Sequence, residues 1–483
     1  MRSLPIVVLL LATSSSHAAD VPSSPYLNYV YRYADVMLAK GRDAQGPVKT
    51  GLFFSALDRM NVTPLTVRPA PPAGIRREDR VGPPWEALIG ANPQHDQNLL
   101  RVLYVLSGLS GSDKYRKAAD CQLKWFLTHT GSPETGFFPW GEHMYWNTIT
   151  DEANPKQAGA VHEFARPWVL WDRCFKLAPE ASKKFALGLW NHQVANHKDG
   201  GFDRHAPYWK SAPRDNMDFP RHAGFFIRTW ADAYAHTKDE TFLTAIDVML
   251  KRYEEKRHPK TGLIAFRSGK PNYVSTHTLS LAIDCAAVAR RVPAPLAKRL
   301  RAFVDREDKL FCSWTHDIVK SGGFVLQADR ATGVAASTRS DRWDARYGGA
   351  TTAMIAMMCV SRYENSGKIG YRGLITAAAD AYLTEGPPEG LDAWPMTFGH
   401  AISVELAAWR STARRKYLDR ARQLGLTAIN LFFQDKALPR ASMKTGHYET
   451  ITGADTLALA LIEVHLASLH ITAVRVPDNT IDR

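Results

Sequence analysis

The feature that most constrains the fold of this chain is a succession of helical patterns that begins near residue 95 and continues almost to its end. Apolar residues recur there at spacings of three and four, in segments separated by loops rich in Gly, Pro and aromatic residues. The predicted helices lie near 97–109, 114–129, 165–177, 181–197, 222–236, 239–254, 275–290, 294–305, 350–363, 372–384, 398–411, 414–433 and 453–471. One more helix near 26–40 brings the prediction to fourteen helices, or seven pairs.

A short turn motif indicates how these helices pair. Glycine follows a predicted helix at intervals of about 60 residues, which is typical of a repeating helical unit. The motif occurs as Thr135-Gly136-Phe137-Phe138, Gly200-Gly201-Phe202, Thr261-Gly262-Leu263 and Gly322-Gly323-Phe324. Such a turn needs a positive φ, which glycine adopts without strain.

Stacked helical hairpins of this kind can close into a ring. The predicted fold class is therefore all-α: an (α/α) toroid, or barrel, of about seven helical hairpins with long aromatic loops. The alternative is an open solenoid such as a tetratricopeptide array, but those repeats are shorter and lack long aromatic loops.

The N-terminus has the pattern of an export signal. Arg2 precedes an apolar run from Leu4 to Ala12, and small residues follow at Ser16 and Ala18. The run is too short for a membrane span, which needs about 20 apolar residues. The chain is therefore predicted to be exported to the periplasm or secreted, without stable membrane insertion.

Three segments are predicted along the chain. Residues 1–19 form the signal peptide, and residues 20–95 form an N-terminal helix followed by an extended arm or lid rich in Pro, Arg and Gly. Residues 96–483 form the catalytic barrel, which the N-terminal helix is expected to join.

Composition narrows the choice of partner. Hydrophobic residues make up 45% of the chain, so disorder is excluded, and 61 Lys and Arg against 48 Asp and Glu give a net charge of +13. A basic exported protein favours an anionic polysaccharide as its partner, whereas export argues against nucleic acid. The five cysteines are widely scattered, with no C-x-x-C spacing, so neither a zinc site nor a disulfide framework is predicted. Most of them are predicted to be buried small hydrophobes, with one long-range bridge as the alternative after export.

The strongest candidate catalytic residues lie between residues 214 and 273. Asp215 and Asn216 lie in a polar loop, His222 lies at the start of a predicted helix, and Arg267 and Tyr273 flank a turn. Proton removal beside a sugar carboxylate requires that the carboxylate be neutralised and that a base and an acid flank the scissile bond. A guanidinium, an imidazole and a phenol can supply these functions. Taken singly, each is more often a structural residue.

Aromatic and charged residues crowd a second group of loops, which is predicted to form a glycan subsite. It comprises Trp140, Glu142, His143, Tyr145, His162, Glu163 and Arg166. A buried polar network that ties hairpins together is the alternative. His143, His162 and Glu163 could also bind a metal, but no fixed ligand spacing supports one, so no metal or other cofactor is expected.

Further candidates for substrate contact lie before later helices. Arg342, Arg346 and Tyr347 precede Gly348-Gly349, and His447 and Tyr448 precede the last predicted helix. The two arginines are expected to contact neighbouring uronates. Arg346 and Tyr347 are also the main rivals of Arg267 and Tyr273 as the catalytic pair.

The ordered set formed by Trp140-Gly141-Glu142-His143, His162-Glu163-Phe164, Phe219-Pro220-Arg221-His222 and the stretch from Arg267 to Tyr273 resembles the (α/α)-barrel alginate and glucuronan lyases, most closely polysaccharide lyase family thirty-eight. The resemblance implies a barrel of about seven hairpins with a cleft or tunnel at one end. It implies that Tyr273 transfers the proton, while His222 and Arg267 bind the carboxylate. Related lyases often have Asn where this chain has Arg221, so the neutralising residue is left between Asn216 and Asp215.

The predicted activity is β-elimination of a uronate polymer, with alginate or glucuronan as the expected substrate. Hydrolysis on the same toroid is the first alternative, with Glu142, Glu163 or Asp215 as paired carboxylates. A periplasmic glycan-binding protein without catalysis is the second. The oligomeric state is not predicted.

Overall fold

The computed structural model of the chain describes residues 23–76, 80–81, 88–142, 144–154, 164–205, 207–211, 213–472 and 474–483. Within these residues the chain forms fifteen α-helices and ten short strands. The predicted signal peptide, residues 1–19, lies outside the described residues.

Alternate helices form an inner ring and an outer ring. The inner helices are α2 (Gln97–Ser110), α4 (Trp171–Leu177), α6 (Pro220–Thr237), α8 (Ser275–Val288), α11 (Thr352–Ser366), α13 (Pro395–Thr412) and α15 (Ala454–Ser468). Their outer partners are α3 (Asp113–His129), α5 (Pro179–Gly188), α7 (Thr241–Glu255), α9 (Ala294–Ser313), α12 (Ile369–Tyr382), α14 (Arg415–Ala428) and α1 (Pro25–Lys40), the last of which packs on α15. A further short helix, α10, spans Ile318–Ser321. The predicted (α/α) toroid of seven hairpins is thereby confirmed.

The burial of the helices explains why the two rings differ. Helix α13 buries every residue from Pro395 to Ala408, as expected of a helix that is surrounded by protein on all sides. Helix α14 buries one face, which includes Tyr417, Ala421 and Leu424, and its other face is charged. The amphipathic pattern therefore assigns α14 to the outer ring.

The side chain of Gln97 links the first inner helix, α2, to the segment that precedes the second, α4. Gln97, the first residue of α2, donates from Nε2 to the carbonyl of Pro167 at 2.9 Å. Its Oε1 accepts from the backbone N–H of Val169 at 2.7 Å. The segment that leads into α4 is therefore fixed to α2, while α2 also packs on α15.

The repeated glycine turns have the predicted backbone. Gly136, Gly200, Gly262 and Gly322 have φ values of 76°, 73°, 74° and 90°. At Gly136 a Cβ atom would also lie 2.8 Å from the carbonyl oxygen of Lys184, so this turn needs glycine for packing as well.

The strands form four small sheets in the loops between helices. They are β1 (Ala56–Leu57), β2 (Gly90–Ala91), β3 (Tyr145–Asn147), β4 (Glu152–Asn154), β5 (Val194–Asn196), β6 (Gly201–Asp203), β7 (Asn216–Met217), β8 (Asn272–Val274), β9 (Gln327–Asp329) and β10 (Tyr448–Glu449). The sheet orders are β1-β10, β2-β3-β4, β5-β6-β7 and β8-β9, and all pairs are antiparallel except β6 with β7.

Several predicted helices have different bounds in the structure. The helix predicted near 294–305 extends to Ser313, and the one predicted near 414–433 ends as an α-helix at Ala428 and continues as a π-helical turn over Ile429–Phe433. The helix predicted near 165–177 begins at Trp171, because the preceding residues pair with Gln97. The α-helix predicted near 181–197 ends at Gly188 and continues as one π-helical turn over Leu189–Gln193.

Among the described helices, none has both the length and the apolar content that crossing a bilayer would require.

The predicted arm packs against one end of the barrel. The carbonyl of Ala73 accepts from the Trp394 indole at 3.0 Å, and the carbonyl of Gly74 accepts from the Tyr347 N–H at 3.0 Å. Arg80 makes a buried, two-pronged ion pair with Glu449, at 2.8 and 2.7 Å. These contacts attach the arm beside the cavity described next.

Candidate active site

A cavity of about 280 Å³ opens at the end of the barrel where the inner helices begin. Arg221 at the start of α6, His277 at the start of α8 and His400 in the first turns of α13 all line it. The remaining lining residues include Glu142, Arg166, Arg346, Tyr347, Trp394, Met396, Ile451, Asp482 and Arg483. The N-terminal ends of several helices therefore face one space, and their dipoles favour an anion there.

Arginine dominates the charge of this cavity. Among the described residues that line it, the arginines outnumber the carboxylates, which are Glu142 and Asp482. The arginines are Arg166, Arg221, Arg346 and Arg483. An excess of guanidinium groups over carboxylates makes the cavity suited to an anionic ligand.

Arg221 differs from the other arginines in its surroundings. It follows Pro220, the first residue of α6, and its Nε has no hydrogen-bond acceptor among the described residues. Burial lowers the pKa of this guanidinium from its ordinary value, and the nearby Tyr347 raises it in part. A buried cation without a protein carboxylate at hand is a binding group for a ligand carboxylate.

His277 lies in the first turn of α8 and shares the cavity with Arg221. Its ring stacks on Phe219, with centroids 5.5 Å apart, and its Nδ1 has no hydrogen-bond partner among the described residues. Burial, followed by the positive charges of Arg221 and Arg204, lowers its pKa well below 6.5. The lowered pKa favours the neutral imidazole, which can accept a proton but is a weaker base than an ordinary histidine.

Arg166 and His400 contact the same carboxylate at the floor of the cavity. Arg166 Nη1 lies 3.0 Å from Asp482 Oδ1, and His400 Nε2 lies 3.2 Å from Asp482 Oδ2. Burial alone would raise the pKa of Asp482, but Arg166 and His400 outweigh it and hold that pKa below its ordinary value. The floor therefore holds an ionised carboxylate between two cationic or protonatable groups.

Tyr273, the predicted proton-transfer residue, lies outside this cavity. Only 1% of it is exposed, and it packs with Leu263 and Ala328. Its ring stacks on Trp314 with centroids 6.0 Å apart, and its hydroxyl accepts from Thr278 Oγ1 at 3.0 Å. Burial raises the pKa of its phenol. The strand β8 turns the side chain into a small apolar cluster, so the structure does not bring it to the arginines.

Three other predicted catalytic residues, His222, Arg267 and Asp215, do not line the cavity either. His222 is fully buried, with Nε2 3.2 Å from the carbonyl oxygen of Phe164. Arg267 directs Nη1 to the Met217 sulfur at 3.2 Å, and Asp215 is exposed on the surface. Asn216 belongs to β7, but its side chain lies outside the description.

The predicted subsite residues divide into three groups. Glu142, Arg166, Arg221, Arg346 and Tyr347 line the cavity, whereas His143, His162 and Glu163 lie outside the described residues. Trp140, Tyr145, Arg342, His447 and Tyr448 are described but lie away from the cavity lining.

Packing explains the residues of the third group. Trp140 is 1% exposed and its ring lies 4.8 Å from the tilted ring of Trp168, so it belongs to the aromatic core. Tyr145 is 2% exposed and belongs to the buried residues around β3. The hydroxyl of Tyr448 lies 2.9 Å from that of Tyr33.

Ion pairs within the protein explain the other two residues of this group, His447 and Arg342. His447 Nε2 lies 2.8 Å from Glu449 Oε2, and Arg342 pairs with Glu385 on the outside of the barrel. Their polar groups are therefore engaged within the protein.

Four residues that line the cavity were not predicted from the sequence: His277, His400, Asp482 and Arg483. His277 lies four residues after Tyr273 at a helix start, so its position was available from the helical pattern. Asp482 and Arg483 follow the last predicted helix in a segment without periodicity, and no sequence signal placed them inside the ring. Among the described residues, no group of three or more His, Cys, Asp or Glu could hold a metal ion.

Comparison with known sequences points to one class of enzyme. Residues 83–280 match the profile of a family described as periplasmic pectate lyase. Over 171 residues the chain is 29% identical to a pectate disaccharide-lyase of Dickeya dadantii (strain 3937). That alignment covers 35% of this chain and 31% of the relative, so the chain matches about a third of the length of the curated relative.

Comparison with solved structures concerns the fold alone. A D-mannose isomerase superposes with a TM-score of 0.50 at 9% identity, covering 93% of this chain and 99% of the other. A cellobiose 2-epimerase from Bacillus thermoamylovorans B4167 has a TM-score of 0.48 at 10% identity, covering 91% and 98% of the two chains. The first of these agrees with the assignment of the (α/α) toroid.

Proposed function

We propose that this protein is a polysaccharide lyase that cleaves a uronate polymer by β-elimination in the arginine-lined cavity. The observation that supports this most is the pairing of Arg221, which has no carboxylate partner among the described residues, with a neutral His277 in the same cavity. Both residues lie in the part of the chain that matches the periplasmic pectate lyase profile. Activity on the whole polymer is part of this proposal.

The chemistry explains why arginines are needed. Removal of the proton at carbon five leaves negative charge beside the sugar carboxylate, so the carboxylate must be neutralised by cations. In the proposed mechanism Arg166 and Arg221 bind that carboxylate. The electron pair of the C5–H bond then forms the C4=C5 double bond, the C4–O4 bond breaks, and O4 takes a proton.

His277 is the first candidate for the proton acceptor, because its lowered pKa favours the neutral imidazole. Arg221 is the second candidate, because burial lowers the pKa of its guanidinium, and in that assignment Arg166 alone binds the carboxylate. Tyr347 also lines the cavity and interacts electrostatically with Arg221, which makes it the candidate donor to O4. Tyr273 is not retained in this role because its hydroxyl lies in the apolar cluster with Trp314.

The proposed substrate is a galacturonate polymer ahead of alginate or glucuronan. The family profile and the curated relative are both named for pectate. Galacturonate differs from glucuronate in its configuration at carbon four, the carbon that carries the scissile C4–O4 bond. The substrate order is therefore part of the proposal, as is export to the periplasm, which the description of the family favours.

Hydrolysis gains no comparable support from the cavity. Of the three carboxylates suggested for it, only Glu142 is among the described residues that line the cavity, and Asp215 is on the surface. The second lining carboxylate, Asp482, is engaged by Arg166 and His400. An inverting or retaining pair needs two carboxyl groups facing the scissile bond.

The test is the ultraviolet absorbance of the C4=C5 product while purified protein acts on polygalacturonate, alginate, glucuronan and glycosaminoglycans. Rising absorbance with polygalacturonate, above the other polymers, is the expected result. New reducing ends without absorbance would replace the lyase by a hydrolase, and binding without shortening of any polymer would indicate a non-catalytic protein. A parallel series with chelated protein tests His143, His162 and Glu163 as metal ligands through loss of activity that added metal restores.

A further inference from the structure

The segment 478–483 lies inside the ring of inner helices. Arg101 on α2 donates from Nη2 to the carbonyl of Asp478 at 2.8 Å, and the Asn479 amide donates to Ser403 on α13 at 3.0 Å. Arg483 pairs with Asp284 on α8 at 2.6 Å. The segment is thus held by three inner helices and forms the floor of the cavity.

Asp482 is the residue of this segment that contacts the cavity cations. Its side chain is 2% exposed, and its two oxygens face Arg166 and His400 at 3.0 and 3.2 Å. The hydroxyl of Thr456 on α15 donates to Oδ2 at 2.8 Å. The carboxylate therefore joins residues from three parts of the ring: the loop before α4, α13 and α15.

Arg166 has few other contacts that could fix its orientation. Apart from the ion pair, its guanidinium makes one long hydrogen bond to the described residues, from Nη2 to the carbonyl of Ile451 at 3.4 Å. Its side chain is 9% exposed, and although Asp455 and Asp96 also interact with it electrostatically, Asp482 is the carboxylate that pairs with it directly among the described residues. The position of this guanidinium in the cavity thus depends on Asp482.

We infer that Asp482 is a positioning residue for uronate elimination: it holds Arg166 and His400 at the cavity floor so that the guanidinium meets the substrate carboxylate in the reactive geometry. This inference rests on the proposed lyase function. Asp482 does not touch the reacting atoms. Its removal should therefore lower the rate of the chemical step more than it weakens substrate binding, because a small displacement of a catalytic group costs rate.

The test compares Asp482→Asn with Asp478→Asn in the full chain. Asp478 lies in the same segment, but its side chain is 36% exposed, it pairs with Arg101 at 3.7 Å, and it does not line the cavity. We expect Asp482→Asn to lower kcat on polygalacturonate by about 10- to 100-fold with KM within about threefold, and Asp478→Asn to stay within about twofold of the wild type. Circular dichroism and Tm show whether each variant is folded.

Each outcome is decisive for the inference. A folded Asp482→Asn whose kcat equals that of Asp478→Asn would overturn it, as would a loss seen only in KM. If Asp482→Asn does not fold, Asp482→Glu decides: a folded protein with kcat lowered about fivefold or more supports positioning, whereas unchanged kcat, or failure of both variants to fold, assigns Asp482 a purely structural role. Failure of the wild type and Asp478→Asn to form unsaturated product would instead refute the proposed lyase function.

Discussion

Two of the regions that line the cavity differ sharply in what their sequences indicate. The region 214–277 is dense in candidate catalytic residues, yet among its described side chains only Arg221, Val274, Thr276 and His277 line the cavity. The segment 478–483 has no motif, yet Asp482 and Arg483 form the cavity floor. The first region supplies Arg221 and His277, which have no carboxylate partner among the described residues. The second supplies Asp482, the carboxylate that pairs with Arg166.

This difference separates two tasks that the residue types alone do not distinguish. Arg221 can offer its charge to a ligand, because the described residues provide no acceptor for its Nε. Arg166 is already paired and is held in place by that pairing. A site with one cation of each kind can bind a carboxylate and keep a fixed geometry.

The largest effect is expected at Arg221. Arg221→Ala should lower kcat/KM on the polymer by about a thousandfold, since a cation directed at developing charge is lost. Arg221→Lys should recover part of this, because an ammonium keeps the charge without the planar fork. Rates of unsaturated product formation measure both. Equal activity of Arg221→Ala and wild type would contradict the role of Arg221 in binding the substrate carboxylate.

The next comparison is between Tyr273, which lies in the region 214–277, and Tyr347, which lines the cavity. Tyr347→Phe should lower kcat by about 10- to 100-fold if this phenol protonates O4. Tyr273→Phe should keep kcat within about twofold and lower the free energy of unfolding by about 1 kcal/mol, through loss of the contact with Thr278. Steady-state rates and denaturant unfolding test the pair. The reverse order of kcat losses would return proton transfer to Tyr273.

The pH dependence distinguishes the proton acceptors. The pKa of His277 lies well below 6.5 because burial and the charges of Arg221 and Arg204 oppose its protonation, so its neutral form persists as pH falls from 8 to 6. We therefore expect no loss of kcat/KM near pH 6.5 from this residue. A rise of the rate above pH 8 that disappears in Arg221→Lys would identify Arg221 as the acceptor. A loss of rate below pH 6.5 that disappears in His277→Gln would contradict the lowered pKa of His277.

The smallest effect is expected at the rim. The Arg346 side chain is 73% exposed and already pairs with Asp344, so Arg346→Ala should raise KM only about two- to fivefold at low salt. The effect should vanish at high ionic strength. Arg342→Ala is the matched control, because Arg342 pairs with Glu385 away from the cavity. A large loss of kcat in Arg346→Ala would move the reaction toward the rim.

The fold was largely predictable because its signal is local. Apolar spacing identified the helices, and the turn glycines at 136, 200, 262 and 322 have the expected positive φ. Helix bounds were less predictable where tertiary contacts decide them. Gln97, for example, binds the backbone of Pro167 and Val169, so that α4 begins only after this segment.

The site was only partly predictable because side-chain direction is not local. Arg166, Arg221 and Tyr347 were candidates and line the cavity, but Tyr273 and Trp140 have the same residue types as site residues and lie in packed clusters. Alternation along β8 decides which way Tyr273 faces, and that depends on pairing with β9 some fifty residues later. The contact between Asp482 and Arg166 joins distant parts of the chain and has no periodic signature.

The most direct test of the central claim is a crystal structure of Arg221→Ala with a galacturonate tetramer bound. The account predicts one sugar carboxylate in the cavity, within hydrogen-bond reach of the Arg166 guanidinium, and carbon five of that sugar facing His277 and the position vacated at residue 221. A tetramer bound elsewhere, with the cavity empty and Arg166 touching only Asp482, would contradict it.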